Sequence, residues 1–298
     1  MMVARNNNLR GEMKFNEPMS KHTSWRIGGN ADKFYTPLDD KDLAELLVSL
    51  SENENIFWLG LGSNILVRDG GIRGTVIALK STMADIDLMD SCRVIAGAGA
   101  SCARLARFCS KNNLVGGEFF AGIPGLVGGA LAMNAGAFGG ETWRYVESVM
   151  TVDRHGQLHE RNAKDYQVGY RSVKMPYEEW FVSVVFKFEE GDGEEAAKKI
   201  RQLLDRRAET QPTGLPSCGS VFRNPENDYA ARLIEQSDLK GFKIGGAVVS
   251  EKHANFIINT GNASAKDVEE LILYVQKTVL EKQGIYLEPE VKIVGEFI

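Results

Sequence analysis

Apolar residues recur along this chain at two periods, one near 3.6 and one near 2, and their alternation predicts an α+β fold. Residues 31–36 read as a strand ending at Pro37, and 39–52 as a helix with Leu43, Leu46, Leu47 and Leu50 on one face. Short buried strands are expected at 56–59 and 65–67, with further strands at 75–79, 93–96, 145–152 and 181–188. Helices are expected at 102–111, where Leu105 and Cys109 share a face, and at 194–207, 229–236 and 264–282. The last opens on a Ser264-x-x-Asp267 capping box and carries Val268, Leu271, Ile272, Val275 and Val279. The chain closes on 285–294, read as a strand in which Glu288-Pro289-Glu290 interrupts apolar positions.

Three strand-to-loop junctions are rich in glycine. The longest runs Ala121-Gly122-Ile123-Pro124-Gly125-Leu126-Val127-Gly128-Gly129-Ala130 and continues to Gly140; the others are Gly60-Leu61-Gly62-Ser63-Asn64 and Gly97-Ala98-Gly99-Ala100-Ser101. Glycine lets backbone N–H groups approach an anion more closely than side chains would, which suits a phosphate-bearing cofactor. Tight turns between buried segments are the other reading. The loop at 60–64 lacks the third glycine of the dinucleotide fingerprint and leads into a strand rather than a helix, so a standard Rossmann site is disfavoured.

At 298 residues the chain has room for two or three domains, divided as 1–74, 75–208 and 209–298, with the breaker-rich 211–216 as a linker. Its net charge is −5, with Lys and Arg scattered, so no nucleic-acid partner is expected. No apolar run approaches the ~20 residues of a membrane span, so no membrane partner is expected either. Residues 1–14 are polar and lack the apolar core of a secretory signal, which places the protein in the cytoplasm. Cys92, Cys102, Cys109 and Cys218 form no Cys-x-x-Cys pair, so reduced thiols and no metal site are expected. His155 and His159 fall in a hairpin turning at Gly156, where helical ligand geometry fails.

With these residues in view the sequence resembles the UDP-N-acetylenolpyruvoylglucosamine reductases, also called UDP-N-acetylmuramate dehydrogenases. The resemblance covers nearly the whole chain. It rests on His22-Thr23-Ser24-Trp25-Arg26-Ile27-Gly28-Gly29, Gly60-Leu61-Gly62-Ser63-Asn64, Gly122-Ile123-Pro124-Gly125 with Gly128-Gly129-Ala130, Tyr170-Arg171, Cys218-Gly219-Ser220-Val221-Phe222, Lys252-His253-Ala254-Asn255-Phe256 and Glu290-Val291. It implies a two-subdomain FAD-binding module of the vanillyl-alcohol-oxidase/PCMH type in residues 1–74 and 75–208, and a C-terminal α+β substrate-binding domain in 209–298. It also implies the shorter type of the family, because Phe188 passes directly to the hinge helix and Pro212 with no room for an extra tyrosine loop.

The activity so implied is NADPH-dependent reduction of UDP-N-acetylglucosamine enolpyruvate to UDP-N-acetylmuramate in peptidoglycan precursor synthesis, by a monomer. FAD is held non-covalently by Gly60, Leu61, Gly62, Ser63 and Asn64 and by Gly122, Ile123, Pro124, Gly125, Gly128, Gly129 and Ala130. A covalent tether through His22 is not implied, and a turn or capping role suits that residue better. Such a reaction builds charge beside a carboxylate and needs one proton delivered. Arg171 matches the arginine that steadies the enolate and Glu290 the carboxylate that helps it, while Ser220 matches the proton donor. Tyr170, Asn224, Lys243 and Asn255 are candidates for the nucleotide-sugar, although surface and turn roles suit Asn224, Lys243 and Asn255 equally. A flavoprotein oxidase of the same fold acting on an alcohol or sugar is the alternative, and a nucleotide-binding sensor without turnover a further one.

Overall fold

A computed structural model describes residues 9–298, which fall into two compact units interleaved along the chain. The first holds the described residues up to Lys14, Phe34–Gly60 and Thr75–Asp205; the second holds Phe15–Lys33, Leu61–Gly74 and Arg206–Ile298. Two early segments thus group with the C-terminal third, which no contiguous division at residue 74 anticipates. Of the polar start at 1–14, residues 1–8 lie outside the described residues.

The first unit is built on a five-stranded antiparallel sheet. Its order is Leu158–Asn162, Val146–Asp153, Glu179–Lys187, Arg93–Gly97 and Ile86–Leu88. Val149, Val184 and Phe186 alternate with more exposed neighbours and pack with Leu105 and Cys109 of the helix Cys102–Lys111. That helix starts where expected, its Ser101 side chain accepting the N–H of Arg104. Phe119, Phe120, Phe186 and Phe188 form an aromatic cluster within the same core. Ile56–Leu59 lies parallel to residues 75–78, and the helix Asp40–Ser49 is capped by Asp39 and buries Leu43, Leu46 and Leu47.

In the second unit the helix Ala265–Gln283 carries the expected capping box and buries Val268, Leu271, Ile272, Val275 and Val279. It packs with the antiparallel set Lys243–Ile244, Ala247–Val249 and Ile257–Asn259. Trp25 is fully buried, donates Nε1–H to the Ile257 carbonyl at 2.7 Å, and offers its own carbonyl to Asn259 Nδ2 at 2.9 Å. A tryptophan so placed removes about 200 Å² from water, roughly 5 kcal/mol before entropy is counted. Of the expected closing strand only Lys292–Val294 forms, parallel to Ile65–Val67. Pro289 has no N–H to give a ladder, so the stretch before it pairs only through an isolated bridge to Phe222.

The histidine pair lies on a hairpin as expected: Gly156 donates to the Asp153 carbonyl, and His159 Nε2 meets Asp153 Oδ2 at 2.8 Å. All four cysteines are free. Among the described residues no cluster of His, Cys, Asp and Glu could hold a metal, and no helix is long and apolar enough to cross a membrane.

Candidate active site

In the first unit a cavity opens at the end of the strand Ile56–Leu59, lined by Trp58, Gly60, Ala98, Leu126, Gly129 and Trp180 among others. The two tryptophans stack with ring centroids 5.1 Å apart, and Trp58 Nε1 is buried with no acceptor among the described residues. An apolar, ring-lined hollow with one unmatched donor fits a flat aromatic ligand that carries acceptors. Both glycine loops expected at the cofactor contribute to it, through Gly60 on one side and Gly128 and Gly129 on the other, and the third glycine loop lends Ala98.

Part of the glycine run is bonded within the protein. The N–H groups of Val127 and Gly128 do not wait for an anion: they donate to the carbonyls of Ala100 and Ala98, both at 2.8 Å. Gly125 N–H closes on Ile123 O and Ala130 N–H on Leu126 O. What glycine supplies here is space. A Cβ on Gly128 would stand 3.0 Å from that of Ala98, so its absence lets the helix Val127–Met133 sit close to residue 98. A Cβ on Gly129 would meet nothing within 4 Å, which leaves a bare helix face on the cavity. Ile123 and Ala130 are buried in the core and Pro124 is exposed.

The second loop begins at Gly60 and continues through Leu61, Gly62, Ser63 and Asn64 in the second unit. Gly62 has φ +63, and a side chain there would collide with the His22 carbonyl. His22 itself meets Glu17 through Nε2 at 2.9 Å.

Arg171 occupies the two-residue turn of the hairpin formed by Gln167–Gly169 and Ser172–Lys174, with φ +51, a region uncommon for side-chain-bearing residues. Its Nη2 donates to the Gly136 carbonyl at 2.8 Å, and its guanidinium lies 5.6 Å from the exposed Tyr170 ring. The hairpin is tied down by Asn134, which is 1% exposed. Asn134 donates to Gly169 O at 3.1 Å and to Glu141 at 3.0 Å, and accepts from Trp143 N–H at 3.1 Å. The continuation of the long glycine run therefore braces the arginine.

In the second unit the turn bearing Ser220 runs beside the stretch bearing Glu290. The carbonyl of Val221 accepts the N–H of Glu290 at 2.7 Å, and the N–H of Arg223 donates to Glu288 O at 2.9 Å. Asn64 Nδ2 donates to Glu290 O at 3.1 Å, so one residue expected at the cofactor also holds the stretch bearing the carboxylate. Glu288 turns outward and pairs with Arg223 at 3.0 Å. Cys218 is fully buried beside this turn, and burial pushes its thiol well above the ordinary range, with nearby Glu290 adding to the effect.

The nucleotide-sugar candidates separate. Lys243 is exposed on its short strand, and Asn224 spends Oδ1 on Ala230 N–H at the start of the helix Ala230–Gln236. Of the two roles read for Asn255, ligand contact and turn support, its surroundings suit the second: it is 3% exposed, and both polar atoms are bonded to the main chain of Phe222. Sequence reasoning passed over Trp58, Trp180 and Asn134. The tryptophans offered a signal, since one sits two residues before a glycine loop; Asn134 offered none, because two of its three partners are main-chain groups.

Comparison with known proteins agrees with this geometry. Residues 31–162 match the family described as FAD binding domain. The chain is thus a flavoprotein oxidoreductase of α+β class, with a two-subdomain FAD-binding module of the vanillyl-alcohol-oxidase/PCMH type and a C-terminal domain. Residues 211–294 match UDP-N-acetylenolpyruvoylglucosamine reductase, C-terminal domain. The reductase of Methylococcus capsulatus is 55% identical over 96% of this chain and 94% of its own; that of Alkalilimnicola ehrlichii is 53% identical over 99% of both. A crystal structure of the Thermus caldophilus reductase superposes with a TM-score of 0.81 at 31% identity, over 95% of this chain and 98% of that one. The chain belongs to the UDP-N-acetylenolpyruvoylglucosamine reductase family. It has the shorter form: after Phe188 come a two-residue strand, the helix Gly193–Thr210 and Pro212, with no inserted loop.

Proposed function

We propose that Ser220, Arg171 and Glu290 carry the family's reaction in this chain, the reduction of UDP-N-acetylglucosamine enolpyruvate to UDP-N-acetylmuramate. The protein is an FAD enzyme with NADPH as reductant. When bound, FAD would supply hydride chemistry, drawing the hydride from NADPH for the terminal carbon of the enolpyruvyl group. Trp58, Trp180 and the bare face at Gly129 line space for part of that cofactor, and Gly60–Asn64 and 122–130 are its remaining contacts.

Hydride addition leaves negative charge beside the substrate carboxylate. Arg171, with a planar fork of donors on a braced hairpin, meets that charge, and Glu290 shares a hydrogen bond with it. Ser220 then gives its proton to the neighbouring carbon. A hydroxyl is a weak acid, but the carbanionic centre is basic enough that position decides. The observation that carries this reading is the backbone pairing between the Ser220 turn and the Glu290 stretch. Tyr170, Lys243 and Asn224 are the side chains offered to the nucleotide-sugar. Residues 1–74 and 75–208 serve as the flavin subdomains and 209–298 as the substrate-binding domain of a cytoplasmic monomer that engages neither nucleic acid nor membrane.

The test is an anaerobic titration of the purified yellow protein. NADPH should bleach the flavin, and colour should return only when the enolpyruvyl substrate is added. A protein that takes up no FAD would overturn the cofactor reading, and one reoxidised by air alone would point to an oxidase.

A further inference from the structure

Asn255 lies between the strands Ala247–Val249 and Ile257–Asn259, buried where a carboxamide must find partners for both its donor and its acceptor. It finds them on one residue. Its Oδ1 accepts the N–H of Phe222 at 2.9 Å, and its Nδ2 donates to the carbonyl of Phe222 at 2.8 Å. Its own carbonyl accepts the N–H of Val221 at 2.9 Å. The run 217–221 belongs to no strand, and Gly219 just before Ser220 has φ +80, so no ladder fixes the serine. The carboxamide does for this turn what the peptide group of an adjoining strand would do. From Val221 the chain of bonds continues through its carbonyl to Glu290 N–H at 2.7 Å.

We propose that Asn255 is a positioning residue: through Val221 and Phe222 it sets the place of the Ser220 hydroxyl and of Glu290 for proton delivery. The proposal rests on the assignment of Ser220 as proton donor. Transfer requires donor and acceptor within hydrogen-bond reach, and a misplacement of about 1 Å can cost roughly 10²-fold in rate.

The test is Asn255→Asp, which keeps the side-chain shape. Ionised, the aspartate turns an oxygen toward the Phe222 carbonyl in place of a donor; protonated, it again offers one donor and one acceptor. Stopped-flow measurement on the holoenzyme should find flavin reduction by NADPH within twofold of the parent. Flavin reoxidation by the enolpyruvyl substrate should be slowed 10- to 100-fold at pH 8 and recover as pH falls, a recovery the parent lacks. Amide hydrogen exchange at Phe222 and Glu290 should quicken at pH 8 and slow again on acidification. Reoxidation within twofold of the parent at every pH overturns the proposal. The unmodified holoenzyme gives a second check that does not depend on the variant folding: a Phe222 amide exchanging as fast as exposed loops also overturns it. Ser220→Ala is measured beside them. If it is slow while Asn255→Asp is not, the positioning role alone fails; if Ser220→Ala is itself unimpaired, the assignment beneath it fails.

Discussion

The N–H of Glu290 donates to the carbonyl of Val221 at 2.7 Å, the residue that follows Ser220. Two side chains far apart in sequence are thus joined by backbone alone, so the serine can be altered without loosening the carboxylate. Ser220→Ala is expected to leave NADPH reduction of the flavin intact and to slow reoxidation by substrate roughly 10²- to 10⁴-fold, the range of a lost general acid. Separate stopped-flow measurement of the two half-reactions checks this.

Arg171→Lys keeps the charge and loses the planar fork that holds Gly136 and is proposed to meet the substrate carboxylate. We expect kcat/KM to fall by about 10²-fold, with bound FAD per chain unchanged. Steady-state kinetics with an absorbance count of flavin would decide it, and loss of flavin from the variant would contradict the assignment to the substrate side.

Gly129→Leu should pull stability and cofactor binding in opposite directions. Position 129 lies inside the helix Val127–Met133 with open space in front of it, so leucine favours the helix by up to about 1 kcal/mol. The same side chain fills the cavity beside Trp58. The apoprotein is expected to melt no lower than the parent while FAD binds at least tenfold more weakly. Equal affinity would remove the cavity from the cofactor site.

Asn134→Ala deletes three hydrogen bonds of a buried side chain and leaves alanine at φ +47, a conformation asparagine tolerates better. A loss of about 2–4 kcal/mol in urea unfolding is expected. Because one bond goes to Gly169, the Tyr170–Arg171 hairpin should loosen too, raising KM for the substrate.

Burial raises the Cys102 and Cys109 thiols to about 12 from an ordinary value near 9. The folded state therefore keeps protons that the unfolded chain releases. Their contribution to stability is full below pH 9 and is lost as pH rises through 9 toward 12, by about 1.4 kcal/mol per pH unit for each thiol. Denaturant midpoints measured from pH 8 to 11 should fall accordingly. The two thiols should resist alkylation at pH 8 until the protein unfolds.

Much of this was legible in the sequence because it depended on periodicity. Leu43, Leu46 and Leu47, or Val268 to Val279, name their buried face by spacing alone, and Ser264 with Asp267 announces the helix start. The closing strand was overextended because apolar residues flank Pro289, whose missing N–H outweighs them. At the candidate site, Arg171 and the Ser220 turn are singled out by motif alone. The glycine run stands out in the sequence, but whether an N–H in it faces a ligand or, like that of Gly128, the Ala98 carbonyl depends on the chain packed beside it, which no local pattern encodes. For Asn255 the sequence leaves ligand and turn roles equally open, because its partners are main-chain atoms of a distant turn.

The parallel pairing of Ile65–Val67 with Lys292–Val294 also bears on how the chain is made. Position 65 leaves the ribosome 227 residues before its partner at 292 (292 − 65), a wait of roughly 10–45 s at ordinary elongation rates. Through that interval three apolar residues, buried in the finished protein, stay without the strand that pairs with them. The first unit is complete by residue 205 and can fold while this edge is still waiting. Nascent chains halted in that window should be the species most in need of a chaperone.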